Sequence, residues 1–131
     1  EHQPGKIIRT IEVSNTDTND WESCVAQEFS GFNVGGIFVT NSKVFLAARL
    51  LEKLNLKHIR LVGHDLLEVN KKYLNDDIVN FLICQRPEEQ GYNSINKLFQ
   101  HVIRKKPVDS QNYSSIEIVT KENMQFYKEF K

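Results

Sequence analysis

The chain has 131 residues, enough for one compact domain with a real core, and its 40% hydrophobic and 26% charged content is that of an ordinary soluble globular protein. Seventeen Lys and Arg side chains balance seventeen Asp and Glu, which gives no support for the net basic surface of a nucleic-acid-binding domain. No apolar run approaches the ~20 residues that span a bilayer, so no membrane partner is expected.

Residues 6–13, KIIRTIEV, are rich in β-branched side chains and read as a strand. Ser14 to Asp20 is polar and turn-prone; Asn19 or Asp20 can cap a helix that runs to about Ser30 and stops at Gly31. Residues 36–40, GIFVT, are a continuous apolar run, as expected of a strand buried on both faces. A helix over about 43–55 places Val44, Ala47, Ala48, Leu51 and Leu54 or Asn55 on one side. A strand over 58–62 closes with Gly63, His64 and Asp65, and a short helix over 67–74 follows. Residues 78–84, IVNFLIC, form a further buried-type strand. Pro87, Glu88 and Glu89 suit the start of a helix running to about 105, with Tyr92, Ile95, Leu98, Phe99 and Val102 inward. Pro107 stops it, and the basic run Arg104-Lys105-Lys106 at its end reads as a solvated terminus. The polar stretch 107–114 is a loop, 115–119 a last strand, and a short helix follows Lys121.

Strands alternating with helices imply βαβ units, hence an α/β fold with a mostly parallel sheet covered by helices on both faces. Cys24 falls in a helix and Cys84 in a strand. Two buried free thiols in a reducing compartment is the reading preferred here, with a single disulfide in a periplasmic protein as its rival. No Cys/His spacing resembles a zinc site.

In such a sheet, ligands bind beyond the carboxyl ends of the strands. The residues that follow three successive apolar runs are Asn41, Asp65 and Gln85. Amides and carboxylates match sugar hydroxyls, which both donate and accept, whereas a phosphate site would want Gly-rich backbone or Arg. Turn chemistry alone also places Asn and Asp after strands, and it explains Gln85 less well.

GIFVTNSKVFLAARLL, HIRLVGHDLL and FLICQRPEEQGY are similar, in order and spacing, to three segments of the LacI-type regulators and the periplasmic sugar-binding proteins that share their fold. The resemblance implies one lobe of a type I periplasmic-binding-protein-like fold, the carboxy-terminal part of a ligand-binding domain, with the first lobe and the DNA-binding domain outside this chain. It implies that Asn41, Asp65 and Gln85 hydrogen-bond a sugar or related polyol, that Trp21 stacks on the sugar ring, and that His64, where the family usually has Phe, adds a polar contact. Packing inside the domain or on the helix surface is the alternative for Trp21, and a turn histidine with no binding role is the alternative for His64. The helix over 88–106 packs on the first lobe in this family, so its apolar side chains here are expected to find another partner through a rearranged lobe or a swapped dimer.

The implied protein is a cytoplasmic, homodimeric regulator that senses sugar without enzyme activity, cofactor or metal, and that meets DNA only through its other domain. The alternative is a periplasmic sugar-binding protein of a transporter or sensor. A phosphoacceptor receiver domain would need further acidic residues after the first strand to hold Mg²⁺; the strand offers only Glu12, followed by Val13, and no paired carboxylate. No nucleophile elbow, phosphate loop or dinucleotide fingerprint supports an enzyme.

Overall fold

The computed structural model describes residues 7–13 and 18–127. They divide into two compact units, Glu1–Val34 and Gly35–Lys131.

In the first unit, α1 spans Thr18–Ser30. Thr18, Asn19 and Asp20 are already helical, so the expected caps Asn19 and Asp20 lie inside the helix. Of the polar turn expected over Ser14 to Asp20, residues 14–17 lie outside the described residues, as does Lys6. Residues 7–13 have no regular structure, contrary to the strand expected there, and Ile7 and Ile8 are exposed. A β-branched run becomes a strand only by pairing with another strand, and the described residues of this unit contain no strand. Arg9 places its guanidinium 3.6 Å from the ring centre of Phe32. Cys24 is exposed, not buried as expected; both cysteines are free.

The second unit runs β1 (Gly36–Phe38), α2 (Val44–Lys53), β2 (Arg60–His64), α3 (Glu68–Asn75), β3 (Phe81–Cys84), α4 (Pro87–Val102) and β4 (Glu117–Val119), followed by a 3-10 turn at Met124–Phe126. The sheet order is β1-β2-β3-β4. β1, β2 and β3 are mutually parallel, pairing Ile37 with Leu61 and Gly63 with Leu82. β4 runs antiparallel to β3, pairing Leu82 with Val119. The order of elements and the mostly parallel sheet agree with the sequence reading.

Two successive crossovers that advance in one direction put α2 and α3 on one face, where they touch each other. Their apolar sides meet that face: Val44, Ala48, Leu50, Leu51 and Leu74 close over Leu61, Leu82, Cys84 and Val119, all at most 3% exposed. Burial alternates along β2, with Leu61 and Gly63 buried and Val62 and His64 half-buried. The side chains of the opposite face are therefore only partly covered. β1 is a sheet edge with Phe38 exposed, which corrects the expectation of a strand buried on both faces.

Several elements are shorter than their expected bounds, whereas β2, expected over 58–62, runs on to His64. Ile78 and Val79 both donate to the Tyr73 carbonyl in the turn after α3, so β3 starts only at Phe81. Asn80 pairs with Leu61 twice, accepting from its amide at its side chain and donating to its carbonyl from its backbone. The largest correction concerns α4. Tyr92, Ile95, Leu98, Phe99 and Val102 were expected to point inward; all are exposed, and α4 has no buried residue. No described part of this second unit forms the second apolar layer that such a stripe requires.

Candidate functional site

Three parallel strands end at one rim of the sheet, and each ends in a loop carrying a polar side chain. Asn41, His64, Asp65 and Gln85 line one open depression of about 290 Å³, together with Thr40, Pro87 and Gln90. Four of the five residues singled out in the sequence are thus brought together. Trp21 belongs to α1 in the other unit and is half-buried.

The backbone sets each side chain. After β1 the chain turns toward α2, and the Oδ1 of Asn41 accepts a 2.9 Å hydrogen bond from the Lys43 amide. Oδ1 is thus engaged in the turn, and Nδ2 is free to donate. After β2, Asp65 adopts φ of 64°, the left-handed region that Asp and Asn tolerate better than most residues. Its amide still reaches across to the Ile83 carbonyl at 3.1 Å, which anchors the turn to β3. The Asp65 carboxylate and the Gln85 amide have no hydrogen-bond partner among the described residues. They are acceptors and donors facing an open volume. His64 ends β2 with its ring against that of exposed Phe38, centroids 5.6 Å apart.

The end of β3 is held from two sides. Gln90 Nε2 donates to the Gln85 carbonyl at 2.6 Å. Arg86, with φ of 50°, sends Nε and Nη2 to the two carboxylate oxygens of Glu117 at 2.5 and 3.1 Å, tying the start of α4 to β4. Such a bidentate fork fixes orientation as well as distance, and the Glu117 carboxylate holds the Arg86 guanidinium above its usual range. Beneath the rim, burial pushes the Cys84 thiol up to about 11, with the charge of Asp65 adding to the effect. Cys84 is thus an inert filler, not a nucleophile.

Sequence reading missed Thr40, Pro87 and Gln90 in the lining. It also missed Asn70 on α3, which is completely buried and donates from Nδ2 to the carbonyls of Ser42 at 3.0 Å and Asp65 at 2.9 Å, with that of His64 at 3.4 Å. The available signal was its place: Asn70 falls three and four positions before Tyr73 and Leu74, on the inward face of a helix whose other inward residues are apolar.

Carboxylate, amides and imidazole on one concave rim can pair with hydroxyl groups that both donate and accept. Among the described residues, no group of three or more His, Cys, Asp or Glu could hold a metal ion, and no helix is long and apolar enough to cross a membrane.

A family model described as a periplasmic binding protein domain matches residues 4–106. Among solved structures, a candidate LacI transcriptional regulator from Bacteroides fragilis is 34% identical with a TM-score of 0.74, over 88% of this chain and 39% of its own. An ABC transporter solute binding protein from Agrobacterium vitis, bound with α-D-tagatopyranose, matches at 19% identity and a TM-score of 0.79 over 92% of this chain and 41% of its own. An ABC transporter periplasmic solute binding protein from Actinobacillus succinogenes, with bound D-allose, matches at 22% identity and 0.73 over 84% and 39%. The chain thus spans about two fifths of the length of these structures. A comparison with curated protein sequences finds no match.

Proposed function

This chain belongs to the periplasmic binding protein domain family, and from that premise we propose that it is the sugar-binding lobe of a LacI-type transcriptional regulator. The observation that carries the reading is the gathering of Asn41, His64, Asp65 and Gln85 around one depression at the carboxyl ends of the parallel strands. The similarity at 34% identity to a candidate LacI regulator supports regulation. The tagatose- and allose-bound relatives of the same fold support a free monosaccharide as ligand.

In this reading Asp65 accepts hydrogen bonds from two adjacent sugar hydroxyls, Nδ2 of Asn41 donates, Gln85 does both, and His64 completes the polar wall. The sugar lies between this lobe and a first lobe elsewhere in the protein, and favours the closed arrangement because it contacts both. A homodimer passes that change to DNA-binding domains outside this chain, so the coupling equals the difference in sugar affinity between the two arrangements. The protein acts in the cytoplasm, as a binding protein without a catalytic step.

A transport protein is the second reading, favoured by the two ABC transporter proteins of the same fold. A helix-turn-helix segment in the full-length protein decides for regulation, and an export leader for transport.

The test is calorimetric titration of the full-length protein with D-tagatose, D-allose and a panel of other monosaccharides. Asp65→Ala is expected to weaken binding ~10-fold or more, because a hydrogen bond to a charged group contributes roughly 1.5–3 kcal/mol. Gln85→Ala should weaken it several-fold. Unchanged affinity in both variants would end the site assignment.

A further inference from the structure

Asn70 is the one buried polar side chain among the described residues with no exposure at all, and the proposed contacts to sugar do not use it. We infer that Asn70 is a positioning residue of the ligand site, a buried clamp that sets the gap between the loop carrying Asn41 and the turn carrying Asp65. The inference rests on the sugar-site reading given above.

The argument is one of protons. A side-chain amide nitrogen carries two, pointing about 120° apart in one plane, and can serve two acceptors on two different segments at once. Here one acceptor is the carbonyl of Ser42, the residue after Asn41, and the other is the carbonyl of Asp65 itself. The His64 carbonyl, at 3.4 Å, sits at the margin of the second bond. Among the described residues, no backbone hydrogen bond joins the two segments beyond the strand ends, where Val39 donates to Val62. Past that point, the amide of Asn70 is what joins them. A hydroxyl has one proton and an ionised carboxylate none, so neither can bridge both loops.

Simple packing does not account for the residue. The Oδ1 of Asn70 is buried without a hydrogen-bond partner, and an orphaned buried acceptor is unfavourable. A leucine would fill the same space with no such defect. The arrangement makes sense if the two donor bonds, not the volume, are what the site needs.

The experiment uses the full-length protein with Asn70→Leu, the smaller Asn70→Ser that keeps one donor proton, and Leu74→Ala as a control on the same helix. Leu74 is buried and lines no part of the depression. Without ligand, amide hydrogen exchange is followed by residue. Asn70→Leu should speed exchange of the Lys43 and Asp65 amides at least ~10-fold more than that of β3, Asn70→Ser should fall between, and Leu74→Ala should show no such preference. With D-tagatose and D-allose as probes, Asn70→Leu should weaken binding ~10-fold or more, and that loss should vanish when Asp65→Ala is already present. An exchange pattern in Asn70→Leu indistinguishable from that of Leu74→Ala overturns the clamp whatever the sugar data show; should Asn70→Leu fail to fold, Asn70→Ser decides by the same comparison. Preferential loosening of both loops with full sugar affinity retained overturns the link to binding. Absence of binding of any sugar by the unaltered protein sinks the sugar-site reading instead, and leaves the exchange comparison to decide the clamp.

Discussion

A β-carbon built on Gly63 would stand 2.4 Å from the β-carbon of Val44. The first turn of α2 thus lies directly against β2, and Val44 is fully buried there. Gly63→Ala should therefore destabilise the fold at or above the upper end of the ~1–3 kcal/mol range for overpacked cores, read as a lowered urea midpoint. Val44→Ala should not rescue it, because the colliding atom of Val44 is the β-carbon that alanine keeps. Rescue by Val44→Ala would show that the branch methyls, not the approach of the helix itself, set the contact.

The glycine illustrates how far the sequence could be read. GIFVT, HIRLV and FLIC announced strands because a run of apolar side chains between polar turns has few other uses, and the rim residues followed from where those runs stop. The antiparallel direction of β4 left no trace, since SIEIV alternates the same way whichever direction its neighbour runs. Residues 7–13 show the converse: β-branched composition is a preference, and pairing supplies the bonds. Asn70 stayed hidden because an Asn within a helix usually faces water, and its value here comes from carbonyls 28 and 5 residues away along the chain.

Asn41 serves the fold and the proposed ligand through different atoms, so the two roles can be separated. Asn41→Asp keeps an oxygen for the Lys43 amide but loses the Nδ2 protons. Stability should stay within ~0.5 kcal/mol, while sugar affinity falls several-fold. Asn41→Ala removes both and should also lower stability by about 1 kcal/mol, the usual contribution of one hydrogen bond. Equal affinity losses without any difference in melting temperature would assign Asn41 to binding alone.

Asp65 should show opposite signs for stability and binding. Glycine adopts a positive φ without steric cost, so Asp65→Gly should leave the thermal midpoint unchanged or raise it. The same change removes the carboxylate and should weaken sugar binding ~10-fold or more. A marked fall in thermal stability would mean that the carboxylate holds the turn instead of facing the ligand.

Cys84 gives the fold a weakness at alkaline pH. Its folded-state thiol is raised from 9.0 to about 11, first by burial and then by the charge of Asp65. The folded state holds this proton more tightly than the unfolded one, so the contribution is fully present below pH ~9 and is lost as pH rises toward 11. The loss should be on the order of 3 kcal/mol, at about 1.4 kcal/mol per pKa unit, and Cys84→Ala should flatten the decline over that window. With a thiol reagent at neutral pH, exposed Cys24 should react promptly and buried Cys84 only on unfolding.

The apolar stripe of α4 predicts a cost that depends on what surrounds it. Ile95 is 69% exposed and Leu98 59%, against 1% for Leu74 on α3. In the 131-residue chain by itself, Ile95→Thr and Leu98→Ser should each change stability by no more than ~0.5–1 kcal/mol, the range of exposed sites and helix preference. Leu74→Ala should cost roughly 2–5 kcal/mol. The sequence resemblance implies a first lobe against this helix, and under that cover the same two substitutions in the full-length protein should each cost at least ~2 kcal/mol. The comparison of urea midpoints in the two settings therefore measures how much apolar contact the helix gains outside this chain. Equal small costs in both would leave the stripe solvated and remove the expectation that α4 packs on another lobe.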